Sequence, residues 1–292
     1  MLHVASATAT IAVAPFQNML CALVCGSPIQ SKLRFLAQHN ISTDLEVRVK
    51  SNWNLNHQRL EHLIAAMNHV PEALRREGMN MEYGTREGLM LRFLAQYELR
   101  SPLRGLPWHA FDSFEGLPDD LAGGDLRKTR NVRWRTGAYS TNGQLPNMTC
   151  CPNVQLHKGW FNDTVGPFLD AHVGTPVGFA HMDADIYSST MTVLEAIFSR
   201  CAQRIGTVFA FDELFGSLEQ EQHELRALED SATKWGIKWR FITYALTRGS
   251  TVARAAVQVV EPDVRGRCRT SSRSVAPSTS GEAKRFKFNL FQ

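Results

Sequence analysis

The first 43 residues of the chain contain neither aspartate nor glutamate. The segment is rich in Ala, Ser and Thr, and its apolar run from Ile11 to Cys25 is broken by Pro15, Gln17 and Asn18. A membrane span needs about 20 predominantly apolar residues, so this run is too short and too interrupted. A secretory signal needs a basic n-region, and only His3 is available there. Transit peptides are acid-poor but Arg-rich, which this segment is not, so a cytoplasmic protein is expected, with organellar targeting as the alternative. The six cysteines (Cys21, Cys25, Cys150, Cys151, Cys201 and Cys268) form no C-x-x-C pair, and no histidine cluster completes a zinc site. Free thiols in a reducing compartment are therefore expected. Excess charge is also lacking in the body. Net charge is +4, and Arg265, Arg267, Arg269, Arg273, Lys284, Arg285 and Lys287 of the tail face only Glu282. That argues against a nucleic-acid partner.

What is present is the composition of an ordinary soluble globular protein, 43% hydrophobic and 21% charged over 292 residues. The most informative stretch is Gly178 to Thr190. An apolar strand ends in Asp183 and Asp185, hydroxyls follow at Tyr187, Ser188, Ser189 and Thr190, and a helix is predicted over Met191–Arg200. Gly206–Phe211 repeats the pattern and ends in Asp212-Glu213. Adjacent parallel strands would bring these carboxylates to one sheet edge, where a ligand crevice forms. Crowded carboxylates repel and resist desolvation, which a metal ion or a cationic ligand would relieve. His181 lies two residues before Asp183 and so shares its face of the strand. It is either a catalytic base or a buried, hydrogen-bonded core histidine.

Leu60 to Arg76 reads as an amphipathic helix or helix pair interrupted at Pro71. A strand then runs from Met79 into Gly84, and a helix is expected over Leu89–Tyr97. The Glu82-x-Gly84-x-x-x-Gly88 spacing puts glycines where a strand turns into a helix, allowing a ligand close to the backbone and to helix amides. It lacks the middle glycine of Gly-x-Gly-x-x-Gly, which counts against a nicotinamide dehydrogenase. Trp108–Asp112 is a second strand ending in an acid, placed for a ribose or simply forming a turn before Ser113. Gly116–Met148 reads as a long loop with a short helix, in which Trp134, Tyr139 and Leu145-Pro146 cover a site or pack. Further strands are expected at Asn153–Lys158, Trp239–Leu246 and Thr251–Val260, with helices at Asn162–His172 and Glu219–Gly236. The last two strands form an antiparallel hairpin. The expected fold is α/β, mostly parallel, with residues 1–75 an extension, 76–261 the main domain and 262–292 a basic tail without structure.

Several motifs occur in one order: Glu82-Tyr83-Gly84-Thr85-Arg86-Glu87-Gly88, Phe111-Asp112-Ser113-Phe114-Glu115-Gly116-Leu117-Pro118, Gly159-Trp160-Phe161-Asn162-Asp163-Thr164, the run His181–Thr190, and Phe211-Asp212-Glu213. Together they resemble the macrocin O-methyltransferase family of class I S-adenosylmethionine-dependent enzymes, from about Gly78 to Tyr244. The resemblance implies a Rossmann-like, seven-stranded sheet with S-adenosylmethionine over the carboxyl ends of the first strands. It implies that Glu82, Gly84 and Gly88 hold the methionine part and Asp112 the ribose, with Ser113 and Phe114 near the adenosine. It also implies a divalent metal, magnesium, on Asp183, Asp212 and Glu213. The chain departs from the family at Thr164-Val165-Gly166-Pro167-Phe168-Leu169 and in having Asp-Glu where Asp-Asp is usual.

The expected function is metal-assisted O-methyl transfer to a hydroxyl of a sugar or other small molecule, with Asp183 as metal ligand or base and His181 beside it. No nucleic acid and no membrane span are expected, and a homo-oligomer is left open. The alternatives are a D-x-D metal-dependent glycosyltransferase, which gives Glu82–Gly88 and Asp212-Glu213 no purpose, and a non-catalytic binding protein of the same fold.

Overall fold

The computed structural model describes residues 43–47, 55–101, 107–119, 135–217, 220–246 and 252–263, with 266 and 268. The acid-poor N-terminal segment, Trp134, the turn at 247–250 and the tail beyond 268 lie outside the described residues.

Among the described residues, α-helices and strands follow in chain order: β1 (Glu46–Val47), α1 (Leu55–Met67), α2 (Glu72–Glu77), β2 (Met79–Tyr83), α3 (Leu89–Leu99), β3 (Trp108–Asp112), β4 (Val154–Lys158), α4 (Phe161–Ala171), β5 (Val177–Met182), α5 (Tyr187–Ser199), β6 (Val208–Phe211), α6 (Glu224–Trp235), β7 (Lys238–Leu246) and β8 (Val252–Glu261). One sheet of eight strands results, in the order β1-β7-β8-β6-β5-β2-β3-β4. Every strand is parallel to its fellows except β8, which runs antiparallel between β6 and β7. The count exceeds the implied seven by β1. Its two residues pair with Tyr244 and Ala245 of β7, and Tyr244 Oη donates to Glu46 Oε2 at 3.2 Å. A short strand of this kind covers an otherwise open edge.

Even the fully buried strands keep period two. Met79, Met81 and Tyr83 of β2 and Ala180 and Met182 of β5 belong to one core, with Val165, Val193, Ile197, Leu225 and Leu228 of α4, α5 and α6. Trp108 and Ala110 of β3, Phe179 of β5 and Ala210 of β6 belong to the other, with Leu60, Leu63 and Met67 of α1 and Leu91 and Leu94 of α3. Glu82 and His181 sit at the alternate positions and so face the α1–α3 side. α1 falls within the segment assigned to an extension, yet it supplies this core.

α5 begins four residues ahead of the expected helix, so Ser188, Ser189 and Thr190 lie in its first turn. Thr190 Oγ1 donates back to the Ile186 carbonyl at 3.0 Å, which accommodates the hydroxyl inside the helix. The described part of the long loop, residues 135–148, consists of turns without a helix.

The expectation of free thiols needs correction. Cys201, just after α5, is disulfide-bonded to Cys268. The chain after β8 is thus carried back to the end of α5, where Gln203 Nε2 also donates to the Pro262 carbonyl at 2.8 Å. Cys150 and Cys151 are free.

Candidate active site

β2 has β3 on one side and β5 on the other, so the strand order reverses between β2 and β5. The crevice that opens there, at the carboxyl ends of the strands, is the usual ligand position of such sheets. Its volume is about 1050 Å³.

Register builds its floor. Glu82 pairs with His181 across β2 and β5, and His181 Nδ1 lies 2.9 Å from Glu82 Oε1. Both side chains are buried, and Glu82 Oε2 has no hydrogen-bond partner among the described residues. Burial pushes the Glu82 carboxyl above its usual range, against the opposing pull of the His181 hydrogen bond. Just beyond, Gly84 takes φ +88°. A Cβ there would fall 1.9 Å from the Asp183 carbonyl oxygen, so only glycine lets the two strand ends close on each other.

Asp183 and Asp212 end β5 and β6 side by side: Met182 pairs with Phe211, and Asp212 N donates to the Met182 carbonyl at 3.0 Å. Their charges are met by arginines. Arg59 of α1 hydrogen-bonds Asp183 Oδ2 through Nη2, and its Nε lies 2.7 Å from Asp212 Oδ1. Arg254 of β8 donates to the same Asp212 oxygen at 2.7 Å. Burial disfavours ionisation of Asp212, but the two guanidinium groups outweigh it and hold the carboxyl below its usual range. Asp183 goes the other way: burial raises it, Asp212 adds to the rise and Arg59 opposes it. Asp185, held at φ +60°, is pushed well up by burial and by Asp183 and Glu213. Beneath these loops Glu224 is fully buried and accepts from Ala184 N at 3.3 Å and Glu213 N at 3.1 Å, tying the two acidic turns together.

On the other flank, the Asp112 carboxylate is fixed by backbone amides, Oδ2 accepting from Arg86 N at 2.7 Å and Oδ1 from Phe114 N at 2.6 Å. Leu117 and Tyr139 line the outer wall, with the Arg86 guanidinium 5.7 Å from the Tyr139 ring centroid. Trp160, Phe161 and Asn162, after β4, complete it.

Of the residues singled out from sequence, Glu82, Gly84, Asp112, Ser113, Asp183, Asp212 and Glu213 line this one crevice. Gly88, Phe114 and His181 are not in its wall. Gly88 caps α3 at φ +69° and packs against Pro146 and Met148, Phe114 is buried, and His181 stands behind Glu82 as the core histidine of the two readings. Sequence reading missed Arg59, Arg254 and Glu224. A lone arginine inside the apolar strand Val252–Val260 was a usable signal for Arg254. Nothing local marks Arg59, which meets Asp183 from 124 positions away.

The trio Asp183, Asp212 and Glu213 does not fit a divalent ion as it stands, because guanidinium groups occupy the first two. Among the described residues no group of three His, Cys, Asp or Glu side chains is placed to hold a metal ion.

The family model described as Macrocin-O-methyltransferase (TylF) matches residues 52–220, more than half of the chain. The protein belongs to that family, and is thus an O-methyltransferase that draws its methyl group from S-adenosylmethionine. The glycosyltransferase and non-catalytic alternatives give way to this. Similar solved structures include the calicheamicin methyltransferase CalS11, 22% identical over 82% of this chain and 96% of its own, with a TM-score of 0.48. The O-methyltransferase NovP is 20% identical over 70% and 80%, with a TM-score of 0.49. An O-methyltransferase from Bacillus cereus in complex with SAH is 16% identical over 84% and 97%, with a TM-score of 0.41. No curated protein matches the chain. Among the described residues no helix is long and apolar enough to cross a membrane.

Proposed function

We propose that the protein methylates a hydroxyl of a sugar or another polyhydroxylated small molecule, with the cofactor along Glu82, Gly84 and Asp112 and the acceptor against Asp183. The observation that carries this reading is the Glu82 carboxylate. Its Oε2 is a buried acceptor without a partner among the described residues, in a side chain that lines the crevice, and such an atom is costly unless a ligand satisfies it. The ammonium of a methionine moiety is a donor of the right charge. Asp112, oriented by two amides, keeps lone pairs for ribose hydroxyls, and Ser113 lies beside it in the wall. Gly88 and Phe114 act through the backbone, at the start of α3 and on Asp112 respectively.

Bound S-adenosylmethionine supplies a methyl group on a cationic sulfonium, and the crevice, where carboxylates outnumber arginines, favours that charge. An acceptor hydroxyl oxygen attacks the methyl carbon while the sulfur–carbon bond breaks, and the hydroxyl proton passes to Asp183. The upward pull on the Asp183 carboxyl moves it toward the pKa of an effective base. Ser188, Ser189 and Thr192 offer hydroxyls on the acceptor side, suited to a sugar rather than to a flat apolar ring. No step passes through a divalent ion, because Asp183 and Asp212 already have cations.

Calorimetric titration with S-adenosylmethionine tests the cofactor half, and formation of the demethylated cofactor with nucleotide sugars, glycosides and catechols as acceptors tests the other. Binding with turnover on sugar hydroxyls is expected. No heat at millimolar cofactor would sink the reading.

A further inference from the structure

Two carboxylates at the ends of neighbouring strands, Asp212 buried and Asp183 partly so, are eased by a positive charge between them. Here that charge is covalently part of the chain. Arg59 hydrogen-bonds Asp183 through Nη2 and forms an ion pair with Asp212, whose Oδ1 lies 2.7 Å from Nε, and its side chain lines the crevice at 20% exposure. It is delivered by packed structure. On either side of it Gln58 and Leu60 are buried, and one residue-turn on His62 Nε2 lies 3.2 Å from Thr243 Oγ1 on β7.

We propose that Arg59 is the resident cation of this site: its guanidinium occupies the place between Asp183 and Asp212 that a divalent ion would take, and it orients Asp183 toward the acceptor. Its part in turnover rests on the methyltransferase reading, whereas its charge balance does not. A guanidinium stays protonated at all working pH values, and its planar fork can serve two carboxylates at once. Magnesium would require oxygens at about 2.0–2.1 Å in octahedral array. To gain Asp183 and Asp212 it would have to displace one cation and approach a second, Arg254. Removing the Arg59 side chain leaves a gap between hard oxygen ligands, which suits magnesium or manganese.

The test is a manganese titration followed by electron paramagnetic resonance on wild type, Arg59→Ala, and Arg59→Ala combined with Asp183→Asn. Wild type should bind no manganese that Asp183→Asn removes. Arg59→Ala should gain a manganese site, since the pair is left uncompensated, and the double variant should bind at least about tenfold more weakly or not at all. In turnover, Arg59→Ala should lose kcat with little change in cofactor affinity, and added guanidinium or manganese should restore part of it. Stoichiometric manganese on wild type, abolished by Asp183→Asn, would overturn the proposal, and so would a folded Arg59→Ala that gains no metal affinity. If Arg59→Ala fails to fold, the wild-type titration against Asp183→Asn still decides. A wild type that binds no S-adenosylmethionine would defeat the methyltransferase reading while leaving the manganese result standing.

Discussion

His181 Nδ1 and Glu82 Oε1 lie 2.9 Å apart across two neighbouring strands, with both residues buried. The pair leaves Glu82 with one satisfied oxygen behind the crevice and one awaiting a donor. In the proposed site His181 thus positions the carboxylate assigned to the cofactor, in a place from which it does not line the crevice.

Replacing the charge of Glu82 should therefore weaken cofactor binding before it affects anything else. A hydrogen bond to a charged group contributes about 1.5–3 kcal/mol, so Glu82→Gln should raise the Kd for S-adenosylmethionine by roughly 10- to 100-fold. His181→Phe should move it the same way by less. Calorimetry on both variants checks this, and unchanged affinity in Glu82→Gln would remove Glu82 from the cofactor site.

Asp183→Asn separates binding from chemistry. It preserves the shape and one hydrogen-bonding oxygen for Arg59 but removes the proposed base. Turnover should fall by roughly 10²–10⁴-fold with cofactor affinity retained. A variant with wild-type kcat would show that the acceptor proton leaves by another route.

Acid should act on two buried histidines outside the catalytic step. Burial, with the Arg254 charge adding, lowers His62 from 6.5 to about 3. Burial, with His157 and His172 adding, lowers His109 from 6.5 to about 4. The unfolded chain binds protons below about 6.5 that the folded chain refuses, so this stability is present above that pH and lost as pH falls toward the folded values. The carboxyls raised by burial work in the opposite sense over part of the window, so the informative quantity is a difference. Between about pH 6.5 and 4, His109→Phe should lose less stability than wild type in urea melts. Parallel stability–pH curves would refute the assignment.

The disulfide closes a loop with a sequence separation of 67 residues. Such a link typically contributes about 2–4 kcal/mol. Reduction should lower Tm, and a chain ending at Glu261, which lacks Cys268 and also the Pro262 carbonyl that Gln203 donates to, should lower it at least as far. If neither changes Tm, the link is energetically idle.

Most strands and helices were legible in the sequence, because period-two and period-3.6 patterns are local, whereas the two-residue β1, the first turn of α5 and the missing helix at 135–148 were not. The sequence by itself also determined which acids end which strands, since Asp112, Asp183 and Asp212 each follow an apolar run directly, and the ordered motifs marked the family. Tertiary structure alone decided what those acids meet. α1 falls in the segment expected to be an extension, yet its packing across β6, β7 and β8 carries Arg59 to two carboxylates more than a hundred residues away. β8 inserts between β6 and β7 and brings Arg254 to Asp212. The return of Cys268 to Cys201 is equally invisible in spacing. The physical reason is common to all three: a local pattern specifies which face is buried, whereas a charge's partner depends on strand order and helix seating, which only the folded chain sets.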